Sequence, residues 1–331
     1  MAARASNDHW SPLCPMNRRQ FLFNSVAASV GLGLAGVAAD GSLRRKFTLS
    51  LSPGSIGVGV SQREAIELAA RHGFEAVEPY GGDLARLTAT ELEAMVALLR
   101  EKRLVWGAAG MPVDFRGSDE RFNEGLKQLA TQAPAFQRAG VERVGTWLSP
   151  AHGSLTYRQN FDLHRRRLRA VAEVLRDHDL RLGLEYVGTI SSRVRARHPF
   201  IHSLAETREL IAEIGTGNVG VVLDSWHWWQ AGDTEDELLA LRPEDVVAAD
   251  LNDAPASVAK DQQQDGRREL PAATGVIPVA IFLRALAHIG FDGPVRAEPF
   301  NQALNNLDNE AACAATIGAL RKALAQANLA A

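Results

Sequence analysis

The sequence is poor in cysteine and in net charge, and both features narrow what the protein can be. Among its 331 residues only Cys14 and Cys313 are cysteines, and the formal net charge is −3. A balance so near neutrality gives no electrostatic reason to expect binding to nucleic acid or to an anionic membrane. The chain is 46% apolar and 23% charged, so it can bury a large core and is not expected to be disordered. The composition and the net charge are compatible with a small neutral or anionic ligand.

The first 39 residues differ in composition from the rest. The segment "NRRQFL", with Arg18 and Arg19 adjacent, precedes an uncharged stretch of Ala, Gly, Val and Leu that ends in small residues near Ala39. A basic start, a weakly apolar middle and a small-residue cleavage site make up an export signal, and the paired arginines resemble the twin-arginine type. An uncleaved membrane anchor is the alternative, which the Gly and Ala content disfavours. Residues 1–15 are interpreted as a possible start-site extension.

This signal predicts a bacterial protein that is exported to the periplasm or beyond by the twin-arginine machinery. After cleavage no stable membrane association is expected. Residues 1–39 hold three basic residues and one acidic residue, so residues 40–331 carry a net charge of −5. Those residues keep one cysteine, which excludes an intramolecular disulfide. Cys313 lies in the helical pattern "NEAACAATIGALRKAL" and is interpreted as a buried structural residue.

From residue 46 onward, short apolar runs alternate with helical patterns. Eight of these runs read as buried strands: "FTLSLS", "FEAVEPY", "LVWGAAG", "RVGTWLSP", "LRLGLEYVG", "VGVVLDSWH", "VVAADLND" and "PVRAEPFN". Buried strands separated by helices favour a parallel sheet covered on both faces. Eight repeats predict a closed (β/α)₈ TIM barrel, and no GxGxxG motif follows the first strand to support a dinucleotide-binding fold. We predict one barrel domain, residues 40–331.

An acidic residue closes each of the last four predicted strands: Glu185, Asp224, Asp250 and Glu298. Because the carboxyl ends of barrel strands meet at one mouth, these side chains are expected to converge there. Converging carboxylates repel one another in a poorly solvated site, and a divalent metal ion would neutralise them. Capping of the following helices or pairing with loop arginines would explain any one acid alone, but four successive strands favour the metal site.

Asp224 opens the segment "DSWHWW", which places His227 three residues later. At the turn after a strand, this spacing lets both side chains face one pocket, the aspartate as a metal ligand and the histidine as a hydrogen-bond donor or a second ligand. Trp226 and its neighbouring tryptophans could form an aromatic wall for a sugar, although packing against helices is the commoner use of tryptophan.

With these segments the chain resembles the xylose isomerase-like TIM-barrel superfamily, in particular the sugar phosphate isomerase/epimerase group that includes ketose 3-epimerases. The resemblance covers about residues 46–325 and is carried by "HGFEAVEPY", "LGLEYVG", "LDSWHWW", "LNDAP" and, most specifically, "GVIPVAIFLRALAHIGFDGPVRAEPFN". It implies a metal-dependent enzyme that abstracts a proton next to a ketone and passes through a metal-stabilised enediolate.

The resemblance also implies roles for individual residues. Glu185, Asp224, position 250 and Glu298 match the family's metal ligands, both glutamates match its acid and base, and His227 matches a histidine that contacts the substrate. Position 250 is Asp where the family usually has His. A set of oxygen ligands only is harder than one with imidazole, so Mn²⁺ or Mg²⁺ is expected rather than Zn²⁺.

Four further residues are candidates for the substrate pocket. Arg268 and Glu269 lie in the polar loop "DGRRELPAATG" between the last two strands, where a solvated loop is the alternative. Glu78 ends the second strand and His152 follows the fourth, and a salt bridge at the barrel rim is the alternative for each. Asp253, close to Asp250, is expected to shape its loop or to support the ligands.

Two other functions use the same fold. A 3-keto-glycoside lyase, or an enzyme that cleaves C-glycosides, would abstract the same kind of proton and then expel the aglycone. A non-catalytic periplasmic sugar-binding barrel is the non-enzymatic alternative, favoured by the change at position 250. DNA repair of the endonuclease IV type would need a histidine-rich zinc cluster and a basic face, which this sequence lacks. A small carbohydrate is thus the expected ligand, and a homo-oligomer is possible.

Overall fold

The computed structural model describes residues 43–330, and the predicted export signal, residues 1–39, lies outside them. Nine parallel strands form the main sheet, and two short strands form a separate antiparallel ribbon. The strands are β1 (Thr48–Leu51), β2 (Ala76–Val77), β3 (Val105–Trp106), β4 (Ala108–Gly110), β5 (Arg143–Trp147), β6 (Ala151–His152), β7 (Arg181–Glu185), β8 (His198–Pro199), β9 (Val219–Asp224), β10 (Val246–Leu251) and β11 (Pro294–Ala297).

The main sheet closes on itself. Its order is β3-β2-β1-β11-β10-β9-β7-β5-β4, so β3 and β4 stand at its two ends. These two strands are separated in the chain by Gly107 alone, and they act as one barrel strand that pairs with β2 at one end and with β5 at the other. The ring therefore has eight strand positions, and the predicted (β/α)₈ barrel is confirmed.

Helices surround the barrel within the described part of the chain. They are α1 (Gln62–His72), α2 (Gly81–Arg86), α3 (Ala89–Glu101), α4 (Asp119–Ala139), α5 (Tyr157–Arg176), α6 (Ile190–Arg193), α7 (Leu204–Ile214), α8 (Ser225–Ala231), α9 (Glu235–Leu239), α10 (Val279–His288), α11 (Gln302–Asn305) and α12 (Asn309–Gln326). None of them is both long and apolar enough to span a bilayer.

Local sequence signals explain where several helices begin and end. Ser61 caps α1 and forms a capping box with Glu64, and Gly73 ends the helix in the left-handed conformation at φ 75°. Thr88 and Thr156 begin α3 and α5 in the same way. Each cap satisfies backbone N–H groups that the first turn of a helix leaves unpaired.

The space between the barrel and its helices is filled by one continuous apolar cluster that includes Phe47, Phe136, Phe282 and Phe291, all fully buried. Cys313 lies in α12 and is fully buried, as expected for a structural cysteine. The core thus fixes the strands, and with them the residues at the carboxyl ends.

Candidate functional site

The four acidic residues predicted to converge do lie together. Glu185 ends β7, Asp224 ends β9, Asp250 lies near the end of β10 and Glu298 directly follows β11. Asp250 is the register partner of Asp224 on the neighbouring strand. One oxygen from each carboxylate lies within 4.8 Å of the others, and the parallel register of the barrel is what brings them together.

Glu185 and Glu298 are the two glutamates of this cluster, and both have raised pKa values. Burial raises the pKa of Glu185 well above its usual value, and the charges of Glu298, Asp250 and Asp224 raise it further. Its Oε1 is buried without a hydrogen-bond partner. Burial also raises the pKa of Glu298 to about 7, although Arg296 opposes the shift. Burial thus favours the protonated form of both groups, so each can take part in proton transfer.

Arg268 donates hydrogen bonds to two acids of the cluster and to Asp265. Its Nη1 donates to Asp224 Oδ2 at 2.8 Å and to Glu298 Oε2 at 3.3 Å. Asp265 holds the other side of the guanidinium through Nη2 at 2.8 Å and through its backbone carbonyl. The rings of Trp226 and Phe300 lie 5.6 and 4.7 Å from its carbon Cζ. The predicted loop arginine is thus a buried part of the site and not a solvated residue.

A second arginine, Arg296, contacts the cluster from β11. Its Nε donates to Asp250 Oδ1 at 2.5 Å and its Nη2 to Asp250 Oδ2 at 3.1 Å. The same Nη2 lies 3.4 Å from Glu298 Oε1. Burial raises the pKa of Asp250, while Arg296 acts in the opposite direction. Arg296 therefore compensates one carboxylate and touches another.

Asp224 has two tasks at the start of α8. Its Oδ1 accepts from the backbone N–H of Trp226 at 2.7 Å, which caps the helix, and from Asn252 Nδ2 at 3.0 Å. Its Oδ2 faces the cluster, where Arg268 donates to it. The capping alternative raised from the sequence is thus also true of Asp224, and it fixes the orientation of the carboxylate.

His227 lies on the first turn of α8 and faces the same acids. Its Nδ1 lies 3.2 Å from the backbone amide nitrogen of Gly188, and its Nε2 lies 3.2 Å from Nη2 of Arg268, so each ring nitrogen faces a donor. Nε2 lies 3.8 Å from Glu185 Oε1 and 3.9 Å from Asp224 Oδ2. Burial lowers the pKa of His227 to about 4, which keeps the ring neutral. His227 is therefore a neutral ring held between Gly188 and Arg268 beside the acids.

The donor set fits a divalent cation. The four carboxylates exceed the two arginines by two negative charges, and Asp265 adds another at the rim. The orphaned Oε1 of Glu185 has no other partner, and a cation would satisfy it. Hard oxygen ligands of this kind suit Mg²⁺ or Mn²⁺. Asp250 lies within the set by distance, but both of its oxygens already accept from Arg296.

A cavity of about 120 Å³ adjoins the two glutamates. Small residues of the third and fourth barrel strands make room for it, and its lining also includes Arg296 and Trp147. Trp147 is 46% exposed at the end of β5, and Arg116 stacks on its ring with 4.1 Å between Cζ and the ring centroid. The cavity is thus lined by two carboxylates, one guanidinium group and one partly exposed aromatic ring.

The other residues predicted for the substrate pocket make different contacts in the structure. Trp226 is fully buried beneath Arg268, so the exposed aromatic surface at this cavity comes from Trp147. Glu78 accepts from Ser52 Oγ at 2.5 Å and lies near enough to Arg296 to act on its charge. Glu269 forms an isolated bridge with Asp253 and accepts from Asn301.

Two loop residues are used by the backbone around them. The Nδ1 of His152 accepts from the N–H groups of Ser154 and Leu155 in the turn after β6. The carboxylate of Asp253 accepts from four backbone N–H groups at 2.7 to 2.9 Å, which confirms that it shapes its loop. Asp253 therefore orders the segment that carries Arg268.

The sequence did not predict that Arg296, Asp265 and Trp147 lie at the site. Arg296 lies in β11 two residues before Glu298, which directly follows the strand, and in extended chain this spacing places both side chains on the same face. That spacing was the available signal for Arg296. No comparable pattern marked Trp147, whose exposure depends on the loops around it.

The model of the "Xylose isomerase-like TIM barrel" family matches residues 66–323. A xylose isomerase domain protein from Alicyclobacillus acidocaldarius is 32% identical, with a TM-score of 0.75 over 85% of this chain and 99% of that one. No curated protein matches the chain.

Two more distant structures share the fold. The IolI protein with a bound zinc atom is 18% identical, with a TM-score of 0.70 over 85% of this chain and 99% of that chain. A D-psicose 3-epimerase from Clostridium cellulolyticum H10, solved with D-tagatose, is 16% identical, with a TM-score of 0.63 over 81% and 94%. On the strength of the family match and the 32% identical relative, this chain belongs to the xylose isomerase-like TIM-barrel family.

Proposed function

We propose that the protein is a divalent-metal-dependent sugar isomerase or epimerase that removes a proton next to a ketone. The observation that carries this proposal is the pair of glutamates at the barrel mouth, the buried Glu185 and the half-buried Glu298, which line one small cavity. Burial raises the pKa of both carboxyl groups, and two such groups beside one cavity can remove and return a proton at one carbon.

Glu185, Asp224 and Glu298 would hold the metal, with Asp250 as the predicted fourth ligand. When bound, a divalent ion supplies Lewis-acid stabilisation for negative charge that develops on substrate oxygens. Mn²⁺ and Mg²⁺ suit the oxygen donors best. Two of the structural relatives support the general idea, since one is described with zinc and another with a ketohexose.

The residues of the chain itself have separate roles in the proton transfer. Glu185 accepts the proton from the substrate carbon, and Glu298, which begins the step protonated, returns a proton to the substrate. His227 would contact a substrate oxygen, as the resemblance implies, and so orient the sugar. Arg268, which is fixed by Asp265, keeps Asp224 and Glu298 in place. Isomerisation follows instead if the proton is returned to the neighbouring carbon.

The size of the cavity supports a small polyhydroxylated substrate. At about 120 Å³ it is well below the roughly 300 Å³ of the smallest pockets that hold drug-sized ligands. Glu185, Glu298 and Arg296 in its lining offer carboxylate and guanidinium partners for hydroxyl groups, and Trp147 is the largest apolar side chain of that lining.

An exposed aromatic residue favours a second candidate, a 3-keto-glycoside lyase or a C-glycoside-cleaving enzyme. The ring of Trp147 at the rim of the cavity could stack against an aglycone that projects from the mouth. Proton abstraction by Glu185 would be unchanged, and the aglycone would leave from the adjacent carbon.

Product analysis separates these functions. The purified protein with Mn²⁺ is incubated with D-fructose, D-tagatose and D-psicose, and separately with a 3-keto-glucoside that bears a chromogenic aglycone. A new ketohexose or aldose supports the isomerase or epimerase, whereas release of the aglycone supports the lyase. If neither occurs while the sugars bind saturably, the protein is a sugar-binding barrel and the proposal of catalysis fails.

Export is a further part of the proposal. We infer from the signal-like residues 1–39 that the protein acts outside the cytoplasm. Phosphorylated sugars are chiefly cytoplasmic metabolites, so this location favours an unphosphorylated substrate.

A further inference from the structure

Asp250 and Arg296 form a dedicated ion pair between neighbouring strands. The two residues are register partners on β10 and β11, and one guanidinium contacts both oxygens of the carboxylate. This bidentate arrangement fixes the plane of the carboxylate and occupies both oxygens. None of the other three acids in the cluster is held through both oxygens by a single arginine.

Asp250 is fully buried, and its charge is compensated inside the barrel before any metal binds. A metal ion would have to share that carboxylate with a guanidinium that cannot lose its proton. Glu185 has no hydrogen-bonded cation in the described part of the chain, Asp224 and Glu298 share Arg268, and Glu298 also lies 3.4 Å from Arg296. The negative charge left for a metal therefore resides on these three residues.

We propose that Asp250 is a positioning residue for Arg296 and not a metal ligand, and that Glu185, Asp224 and Glu298 hold the metal without it. The inference rests on the proposed function for the presence of a metal. It reassigns the expected fourth ligand to a second task, which is to hold a permanent positive charge in the wall of the cavity.

Arg296 is placed to contact the substrate. It lines the cavity, and 24% of its side chain is exposed. Within residues 43–330 its Nη1 has no hydrogen-bond partner, whereas Nε and Nη2 are used by Asp250 and Glu298. Nη1 is therefore free to donate to a substrate oxygen on which negative charge develops, beside the carboxyl group of Glu298.

Titration of the metal-free full-length protein with Mn²⁺, followed by calorimetry, tests the ligand assignment. Asp224→Asn is the reference for loss of a ligand and should weaken binding by about 10- to 100-fold. Asp250→Asn alone should also weaken binding, because it leaves the charge of Arg296 uncompensated beside the metal. The informative variant is Asp250→Asn/Arg296→Gln, which removes the neutral pair as a unit.

The double variant should bind Mn²⁺ within about threefold of the wild type, because it keeps the three proposed ligands and Glu298 loses only its 3.4 Å contact with Arg296. Arg296→Gln alone should bind Mn²⁺ more tightly than the wild type, since it releases Asp250. If the double variant is weakened as much as Asp224→Asn, Asp250 is a ligand and the inference is wrong. If the wild type binds no Mn²⁺, the proposed function fails instead, so the two failures are distinguishable.

Turnover of the sugar on which the wild type proves active tests the role of Arg296. With Mn²⁺ at saturating concentration, the double variant should lose about 100-fold in kcat, as expected when a donor to a developing oxyanion is removed. Circular dichroism and thermal unfolding confirm that the variant is folded. Full activity in a folded, metal-loaded double variant would overturn the role of Arg296 as a substrate contact.

Discussion

Glu185 and Glu298 carry the proposed chemistry at the scale of single residues. We expect Glu185→Gln and Glu298→Gln each to lower kcat by about 100- to 10,000-fold, because each amide can neither accept nor return a proton. Steady-state assays on the active ketohexose, with metal saturation checked for each variant, measure the effect. Glu142→Gln, at an exposed position before β5 and at the opposite end of the barrel, is the matched control.

Excess Mn²⁺ should distinguish a role of either glutamate in metal affinity from a role in proton transfer. A residue needed only for metal affinity would be rescued by excess Mn²⁺, whereas a proton-transfer residue would not. Recovery of full kcat in Glu185→Gln at high Mn²⁺ would contradict its role as a base.

His164 predicts a pH dependence of stability that is independent of the catalytic site. Its ring is buried against Phe115 and Phe200, and burial lowers its pKa to about 4. Between pH 6.5 and 4 the unfolded chain binds a proton that the folded protein does not, so stability falls as the pH falls. His164→Gln should reduce the loss of unfolding free energy between pH 7.5 and 5 by about 2 kcal/mol.

Urea unfolding of the wild type and of His164→Gln at the two pH values measures this difference. The carboxylates contribute equally to both proteins and cancel in the comparison. Identical pH slopes would show that His164 gains its proton without unfolding.

Gly188 sets the distance between two elements, the loop after β7 and helix α8. A Cβ at this position would lie 2.4 Å from the carbonyl oxygen of His227 and 2.9 Å from the amide nitrogen of Ala231. We expect Gly188→Ala to lower the unfolding free energy by about 1–3 kcal/mol and to displace His227. Gly59→Ala, where a Cβ would meet nothing within 4 Å, should change stability little.

Urea denaturation measures the effect of both alanine variants. Because α8 also begins at Asp224, a shifted helix should weaken Mn²⁺ binding in Gly188→Ala but not in Gly59→Ala. Equal stability of the two variants would mean that the loop relaxes without cost.

Elements with a complete local pattern were predictable from the sequence. Helix α1 has its cap at Ser61 and its stop at Gly73, and the apolar runs ending at Glu185 and Asp224 are the strands β7 and β9. The ribbon of β6 and β8 was not predicted. It pairs Ala151–His152 with His198–Pro199, two residues from each side that are far apart in the chain, and no local pattern marks such a pairing.

The candidate site, like the fold, could be predicted only in part from the sequence. The strand-end acids could be predicted because strand ends are visible in the sequence and barrel geometry gathers them. The pairing of Asp250 with Arg296 depends on the register between β10 and β11, which only the packed barrel determines. The burial of Arg268 depends likewise on Asp265 and Phe300 around it.

At the scale of the whole molecule, the predicted export route relates the signal to the metal site. The twin-arginine route carries folded proteins, so the metal could be bound in the cytoplasm before export. Replacement of Arg18 and Arg19 by lysine should abolish export, as measured by cell fractionation. Unchanged periplasmic protein in the lysine variant would show that another route is used.

The barrel as a whole is proposed to remove a proton from a carbon next to a ketone, whichever product follows. This step is measured directly by incubating the Mn²⁺-loaded protein in D₂O with D-psicose, D-tagatose, D-fructose and a 3-keto-glucoside, and by following deuterium in the sugars by NMR. The account predicts deuterium beside the ketone of at least one of these sugars with the wild type and none with Glu185→Gln. Binding of both metal and sugar by the wild type without any deuterium exchange would contradict it.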